Sequence, residues 1–237
     1  MKNGELDARL TSAAGFVRQG AVFADIGTDH AYLPIFLLSE GRIERAVCSD
    51  VNRGPLNSAM KNAREMSFFD KMEFVLANGA EHLSDSAVTD VAVCGMGGEL
   101  IARIIEDAPH LRSGKINLIL QPMSKHAHLR RALAELGYFI IAEDYSIERD
   151  KIYLTILASY DGVSRKISEL EAEIGRPPYP CGENSPKAAY ISAKLKAISS
   201  SRDGKRLGGE STEREDLLIR ELSQILVEIR NGDENDS

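Results

Sequence analysis

The sequence predicts an α/β fold: a seven-stranded, mostly parallel sheet with helices on both faces, followed by an α-helical, coiled-coil-like extension. Three observations carry this. Short apolar runs alternate with helical stretches from residue 21 to about residue 136, the pattern of a parallel sheet covered on both sides. The turns after the first runs are built from acids, Asn and Gly, as at the ligand-binding edge of an open sheet. Beyond about residue 161 no strand pattern appears, and two long stretches carry apolar residues at seam spacing. Residues 1–161 and 162–237 are therefore expected to form separate domains.

In order, residues 6–18 read as an amphipathic helix, with Leu6, Leu10, Ala13, Ala14 and Val17 on one face. It either covers the sheet or brings Arg9 near a substrate. Strands are predicted over 21–25, 45–50, 72–77, 90–94 and 116–120. Helices are predicted over 31–39, 55–66, 99–107 and 127–136, with Pro55 suited to a first turn and Gly137 to a stop. Two further runs, 138–142 and 153–159, flank the charged turn Glu148-Arg149-Asp150-Lys151 and read as an antiparallel pair at a sheet edge. Gly175, Pro177, Pro178, Pro180 and Gly182 mark an irregular connection. Ala188, Ile191, Leu195 and Ile198 form one seam, and Leu218, Leu222, Ile225 and Ile229 another. Two such helices pair antiparallel about a hinge at 202–209, and residues 231–237 are expected to fray. The seams suit pairing within one chain or between chains, with a monomer favoured.

Bulk properties exclude some classes. No apolar run approaches the roughly 18 residues of a membrane span, and residues 1–5 lack a leader's apolar core. Cys48, Cys94 and Cys181 stand apart with no CxxC spacing, which argues against disulfides and a metal site and for a cytoplasmic setting. The net charge of −7 weakly disfavours a nucleic-acid partner, but its distribution is uneven. Residues 187–206 hold six cations against Asp203, residues 210–237 hold nine acids against three arginines, and Lys125, His126, His128, Arg130 and Arg131 sit together without an acid. An RNA-binding face is compatible with this polarity.

The chemistry gathers at the strand ends. Asp25, Asp50, Asn78 and Gly95 follow the first four strands, and in a parallel sheet these ends share one edge. A carboxylate at Asp50 suits a ribose diol, Asn78 with Gly79 suits an adenine amino group, and Gly95, Met96 and Gly97 allow close approach to the backbone. The first turn reads Asp25-Ile26-Gly27-Thr28-Asp29-His30-Ala31 and lacks G-x-G-x-x-G. Asp29 would repel a pyrophosphate but suits a cation or an ammonium group. S-adenosylmethionine, with its sulfonium and amino groups, fits best. Asp29 is the candidate for charge stabilisation or cofactor holding, or else a cap of the following helix.

These residues resemble a known family. Segments 24–34 (ADIGTDHAYLP), Gly54-Pro55 with Ser58-Ala59, Gly95-Met96-Gly97-Gly98 with Leu100-Ile101, and Leu118-Ile119-Leu120-Gln121-Pro122 are similar to those of the bacterial tRNA (adenine-22-N1)-methyltransferases. The likeness covers residues 6–158 well and the tail only in general plan. It implies a Rossmann-like, S-adenosylmethionine-dependent methyltransferase that acts on N1 of a tRNA adenine, without membrane or metal. Asp29, His30, Tyr32 and Gln121 would be the catalytic set, His30 and Tyr32 orienting or stacking on the base and Gln121 reading its Watson–Crick edge. Asp25, Gly27, Asp29, Asp50, Asn78, Gly79, Gly95, Met96 and Gly97 would hold the cofactor, and the helical extension would contact tRNA. Three positions depart from the family pattern: Asp50 stands where Glu is common, Asn78 where Asp is, and Met123 where Asn follows Gln-Pro. The first two keep their hydrogen-bonding roles, and Met123 removes a polar contact. From the residues alone, another RNA, a small molecule or a non-catalytic binding role remain alternatives.

Overall fold

The computed structural model describes residues 6–84, 87–179 and 182–235, with side chains described to residue 232. Residues 1–5 and Cys181, on which the leader and disulfide readings partly rest, lie outside the described residues, as do Pro180 and residues 236–237. The chain divides into two compact units, one ending at Lys166 and one beginning at Ile167.

The first unit contains α1 (Ala8–Phe16), β1 (Ala21–Ile26), α2 (Tyr32–Ser39), β2 (Ile43–Asp50), α3 (Arg53–Glu65), β3 (Met72–Leu76), β4 (Asp90–Gly97), α4 (Gly98–Glu106), β5 (Asn117–Ser124), α5 (His126–Glu135), β6 (Tyr138–Glu148) and β7 (Lys151–Tyr160). The seven strands form one sheet in the order β3-β2-β1-β4-β5-β7-β6. β1 to β5 pair parallel, whereas β7 runs antiparallel to both β5 and β6. The register sets Asp25 beside Cys48 and Ala92, Asp50 beside Leu76, and Cys94 beside Gln121. The strand-end residues named from sequence therefore do share one edge.

The core explains the helices. Leu10, Ala13, Ala14 and Val17 all turn inward, and with Phe23, Ala46, Cys48 and Ile119 they form one buried cluster. α2 is apolar nearly all round and correspondingly buried, with Pro34 in its first turn, where a missing N–H costs little. At the amino ends of the strands, Arg18 donates from Nη2 to fully buried Asp90 at 2.8 Å and fixes the end of α1 to β4. At the other end of α1, the Ala8 N–H donates to Glu148 at 3.2 Å and Ser12 Oγ to Asp144 at 2.6 Å, so the helix is tied to edge strand β6.

Three element readings need correction. β4 and β5 run on to Gly97 and Ser124, because they keep pairing past the predicted ends with two register shifts. β6 and β7 are far longer than the apolar runs that signal them. The charged residues after Ala142 belong to β6 itself, and the turn is only Arg149-Asp150. Arg130 does not join a basic surface patch. It is 1% exposed and donates from Nε to Glu143 at 2.6 Å, with Tyr145 on the same carboxylate at 2.8 Å.

The second unit holds α6 (Glu169–Ile174), α7 (Pro186–Leu207) and α8 (Glu213–Asn235). α6, absent from the sequence reading, starts with a reciprocal cap between Ser168 and Glu171. Ala188, Ile191 and Ile198 of α7 and Leu218, Leu222, Ile225 and Ile229 of α8 are buried, so both seams point inward. Lys205 meets Glu215 at 2.9 Å at one end and Glu183 meets Arg230 at 3.0 Å at the other, so the two helices run antiparallel. The expected hinge at 202–209 is mostly helix, because Arg202, Lys205 and Arg206 all pair with the first turn of α8. Five of the six cations of 187–206 have partners inside this unit: Lys187 lies over Tyr179, Lys194 on Glu173, and the other three are those just named. The positive balance that the sequence shows here is therefore largely neutralised by acids that fold back on it.

Candidate active site

The turn after β1 is held by backbone first. The N–H groups of Gly27 and Thr28 both donate to the Ser49 carbonyl, at 2.8 and 2.9 Å, and Ala31 N–H donates to the Thr28 carbonyl at 2.7 Å. Gly27 takes φ +73°, a conformation that calls for glycine, and a Cβ there would displace the terminal methyl of the flexible Met96 side chain, 2.1 Å away. Asp29 and Ala31 also adopt left-handed φ, 45° and 55°, on either side of His30. Asn62 Nδ2 on α3 donates to the His30 carbonyl at 2.9 Å and pins this strained turn.

Asp25 is 5% exposed and accepts one hydrogen bond, from Thr28 Oγ1 at 2.6 Å. Burial pushes its carboxyl up to about 6, against the Thr28 hydrogen bond and the positive field of Arg9, which pull it down. A carboxylate so poorly solvated is a strong site for a cation. Asp50 Oδ1 accepts the Asn52 N–H at 2.8 Å, which orients the carboxylate in its turn. Asn78 is exposed and Gly79 takes φ +64° at the end of β3. Burial raises the Cys94 thiol, with Asp25 adding to the shift, so it stays neutral.

Asp29 does not cap α2, whose first turn has no side-chain cap. Its carboxylate is 67% exposed, 3.7 Å from His30 Nε2, and the His30 ring stacks on Tyr32 with centroids 5.1 Å apart at 15°. An acid and a stacked aromatic pair thus stand together on the sheet edge. Gln121 is different. It is fully buried, its Oε1 accepts from Arg9 Nη1 and from the Gly95 N–H, both at 3.1 Å, and its Nε2 donates to the Pro122 carbonyl at 3.3 Å. It cannot read a base edge, because its amide is spent inside the fold. Met123, two residues on, is exposed, and its sulfur lies 3.6 Å from the Gln121 amide nitrogen. Gly97 caps α4, and at Gly98 a Cβ would meet the Lys125 and Ser124 carbonyls at 2.5 and 2.8 Å.

Sequence reasoning left Thr28, Ser49 and Asn62 out of the site. Thr28 and Ser49 carry a signal only in their proximity to Asp25 and Asp50. Asn62 carries none, since it acts across 32 residues.

The site suits a cationic adenosine cofactor on its own features: a buried carboxylate, a glycine turn that a Cβ would fill, and a second acid on the neighbouring strand end. With the seven-stranded sheet, these features define an S-adenosylmethionine-dependent methyltransferase, and the methyltransferase-domain family model matches residues 6–156. The tRNA (adenine(22)-N(1))-methyltransferase of Bacillus subtilis strain 168 is 32% identical over 171 residues, 69% of this chain and 72% of the relative. The crystal structure of Streptococcus pneumoniae Sp1610 superposes with a TM-score of 0.81 at 31% identity, over 94% of this chain and 100% of that one. The structure of M. capricolum TrmK with S-adenosyl-homocysteine gives a TM-score of 0.78 at 26% identity, over 95% of this chain and 99% of that one. The chain belongs to the tRNA (adenine(22)-N(1))-methyltransferase family.

Proposed function

We propose that this chain methylates N1 of adenine 22 in tRNA and that the 29–32 turn is where the adenine is held. The observation that supports this most is the pairing of two unlike acids on one edge, a buried Asp25 and an exposed Asp29 beside the His30–Tyr32 stack. S-adenosylmethionine, when bound, supplies an electrophilic methyl group. The residues then contribute position and charge. Asp25 takes the cationic end of the cofactor, and Gly27 and Met96 form the floor of that turn. Asp50 takes the ribose hydroxyls, and Asn78 and Gly79 the adenine edge. Gly95 and Gly97 keep the approach to the backbone open.

The adenine ring gains positive charge as N1 is alkylated, so an exposed carboxylate close by favours the reaction. Asp29 fills that role. His30 and Tyr32 offer an aromatic face to a base taken out of its stack. Gln121 is a positioning residue in this reading, fixing Arg9 and the Gly95 N–H. The setting is the cytoplasm. Among the described residues no helix is long and apolar enough to cross a membrane, and no group of three or more His, Cys, Asp or Glu is placed to hold a metal ion.

Incubation with methyl-labelled S-adenosylmethionine and tRNA lacking the modification, followed by nuclease digestion, is expected to yield labelled 1-methyladenosine. Unlabelled tRNA rejects the reading. Asp29→Asn is expected to lower kcat by roughly 10²- to 10³-fold, with S-adenosylhomocysteine affinity changed by less than about threefold. A fall in that affinity equal to the fall in rate moves Asp29 from base to cofactor.

The helical unit is proposed to contact tRNA. Deleting residues 167–237 is expected to leave S-adenosylhomocysteine titrations unchanged and to weaken tRNA binding by roughly tenfold or more, as for loss of one of two linked contacts. Because the α7 cations are mostly paired already, the salt slope of tRNA binding should change little. Unaltered tRNA affinity removes this unit from the reading.

A further inference from the structure

The turn that carries Asp29, His30 and Tyr32 is held under strain. Asp29 and Ala31 keep left-handed φ, 45° and 55°, without being glycine. Such residues relax unless their surroundings fix them. α2 fixes the turn only in part. Its first bond runs from the Ile35 N–H to the Ala31 carbonyl at 3.1 Å, and Ala31 offers no side-chain cap. A helix would next satisfy the His30 carbonyl through the N–H four residues on. That residue is Pro34, which has no N–H.

Asn62 supplies the donor that Pro34 lacks. Its Nδ2 reaches the His30 carbonyl at 2.9 Å from α3, 32 residues away. α3 comes this close because its facing residues are small. Ala59 and Ala63 are fully buried and share one apolar cluster with Ala31 and Leu33. Asn62 lies one turn from Ala59, beside that face. α3 packs in turn on β2 and β3, so the bond ties the strained turn to a helix seated on the sheet. The first part of the turn is held separately, since the Gly27 and Thr28 N–H groups go to the Ser49 carbonyl.

We propose that Asn62 is a positioning residue for methyl transfer: by holding the His30 carbonyl it keeps the Asp29 carboxylate and the His30–Tyr32 stack in the form that receives the adenine. This rests on the reading of the 29–32 turn as the place of the base. Asn62 acts through the turn, and a reacting group displaced by about 1 Å can cost roughly 100-fold in rate. Asp25, Gly27 and Asp50 keep their own bonds when Asn62 is changed, so the cofactor side of the edge is spared. Loss of Asn62 therefore separates turnover from cofactor binding.

Wild type, Asn62→Ala, Asn62→Asp and Asn62→Gln are compared in single-turnover methylation of tRNA lacking the modification, in S-adenosylhomocysteine titration and in amide hydrogen exchange, well below their melting temperatures. Asn62→Ala is expected to slow methyl transfer by roughly 10- to 100-fold, with S-adenosylhomocysteine affinity changed by less than about threefold. Exchange of the Ala31 amide, which closes the turn on Thr28, should quicken by roughly tenfold or more while the strands stay protected. Asn62→Asp keeps the shape without the donor, should match alanine, and carries the test if the alanine variant does not fold. Asn62→Gln restores an amide donor and should recover part of the rate. Combined with Asp29→Asn, Asn62→Ala should cost clearly less than the product of the two single losses, because both act at one carboxylate. An unchanged rate overturns the proposal. So do losses that multiply, or a cofactor affinity that falls in step with the rate, since both mark a merely structural asparagine. A wild type that binds S-adenosylhomocysteine but leaves tRNA unmethylated rejects the function proposed above instead, whatever Asn62 does to the exchange of the turn.

Discussion

Asp25→Asn is expected to stabilise the cofactor-free protein and at the same time to remove cofactor binding. The carboxyl of Asp25 is raised from 3.8 to about 6, chiefly by burial. A shift of about two units corresponds to roughly 3 kcal/mol that the ionised group costs the folded state at pH 7. Asparagine keeps an acceptor for Thr28 Oγ1 without the charge, so Tm should rise by several degrees in a unit of this size. The sign can be checked by pH. Because the folded value lies above the unfolded one, the native state takes up a proton as pH falls from about 6 toward 3.8, and this group then destabilises less. The Tm difference between variant and wild type should therefore shrink by about half from pH 7.5 to pH 5. Wild-type affinity for the cationic cofactor should weaken over the same window, as the carboxylate that pairs with it is lost. A variant that melts below the wild type at pH 7.5 contradicts this account.

Gly98→Ala should be among the most damaging single-methyl changes in the chain. The added Cβ would sit 2.5 Å from the Lys125 carbonyl oxygen and 2.8 Å from that of Ser124, both backbone atoms that no rotamer change can move. Lys125 itself holds a left-handed φ of 55° before α5, so the link between β5 and α5 has little freedom to retreat. A loss of roughly 2–3 kcal/mol is expected in urea unfolding. The start of α4 and the end of β5 should separate slightly, taking Gly97 and Gln121 with them. A midpoint equal to wild type would mean that the link yields.

Most of the sheet was legible because its signals are local. Each apolar run ends in a turn with its own chemistry, and the parallel order follows from the spacing, so Asp25, Asp50, Asn78 and Gly95 could be assigned to one edge before any coordinate. Long-range neutralisation is what the sequence hides. Arg130 reads as a surface cation until Glu143 and Tyr145 arrive beside it. The half of β6 beyond Ala142 carries no apolar run and so no strand signal, and its last residue, Glu148, reads as part of the turn. On α7 the cations look free for RNA, but their partners lie on other helices of the unit or across a turn. Gln121 was correctly located and wrongly employed: position follows from the strand end, whereas the direction of an amide depends on Arg9, which is 112 residues away.

The docking of α1 on β6 also sets an order of events during synthesis. Ala8 and Glu148 are 140 residues apart, and Ser12 and Asp144 are 132 apart. The first helix to leave the ribosome thus completes its seat only when the last hairpin of the sheet has followed it. Closing so long a loop is slow compared with forming the local βα units between its ends. Arg9 meets Gln121 only once β5 is in place, so a nascent chain carrying a finished β1 turn still lacks that contact. The N-terminal helix, first in sequence, is thus the last part of the sheet's cover to be fully secured.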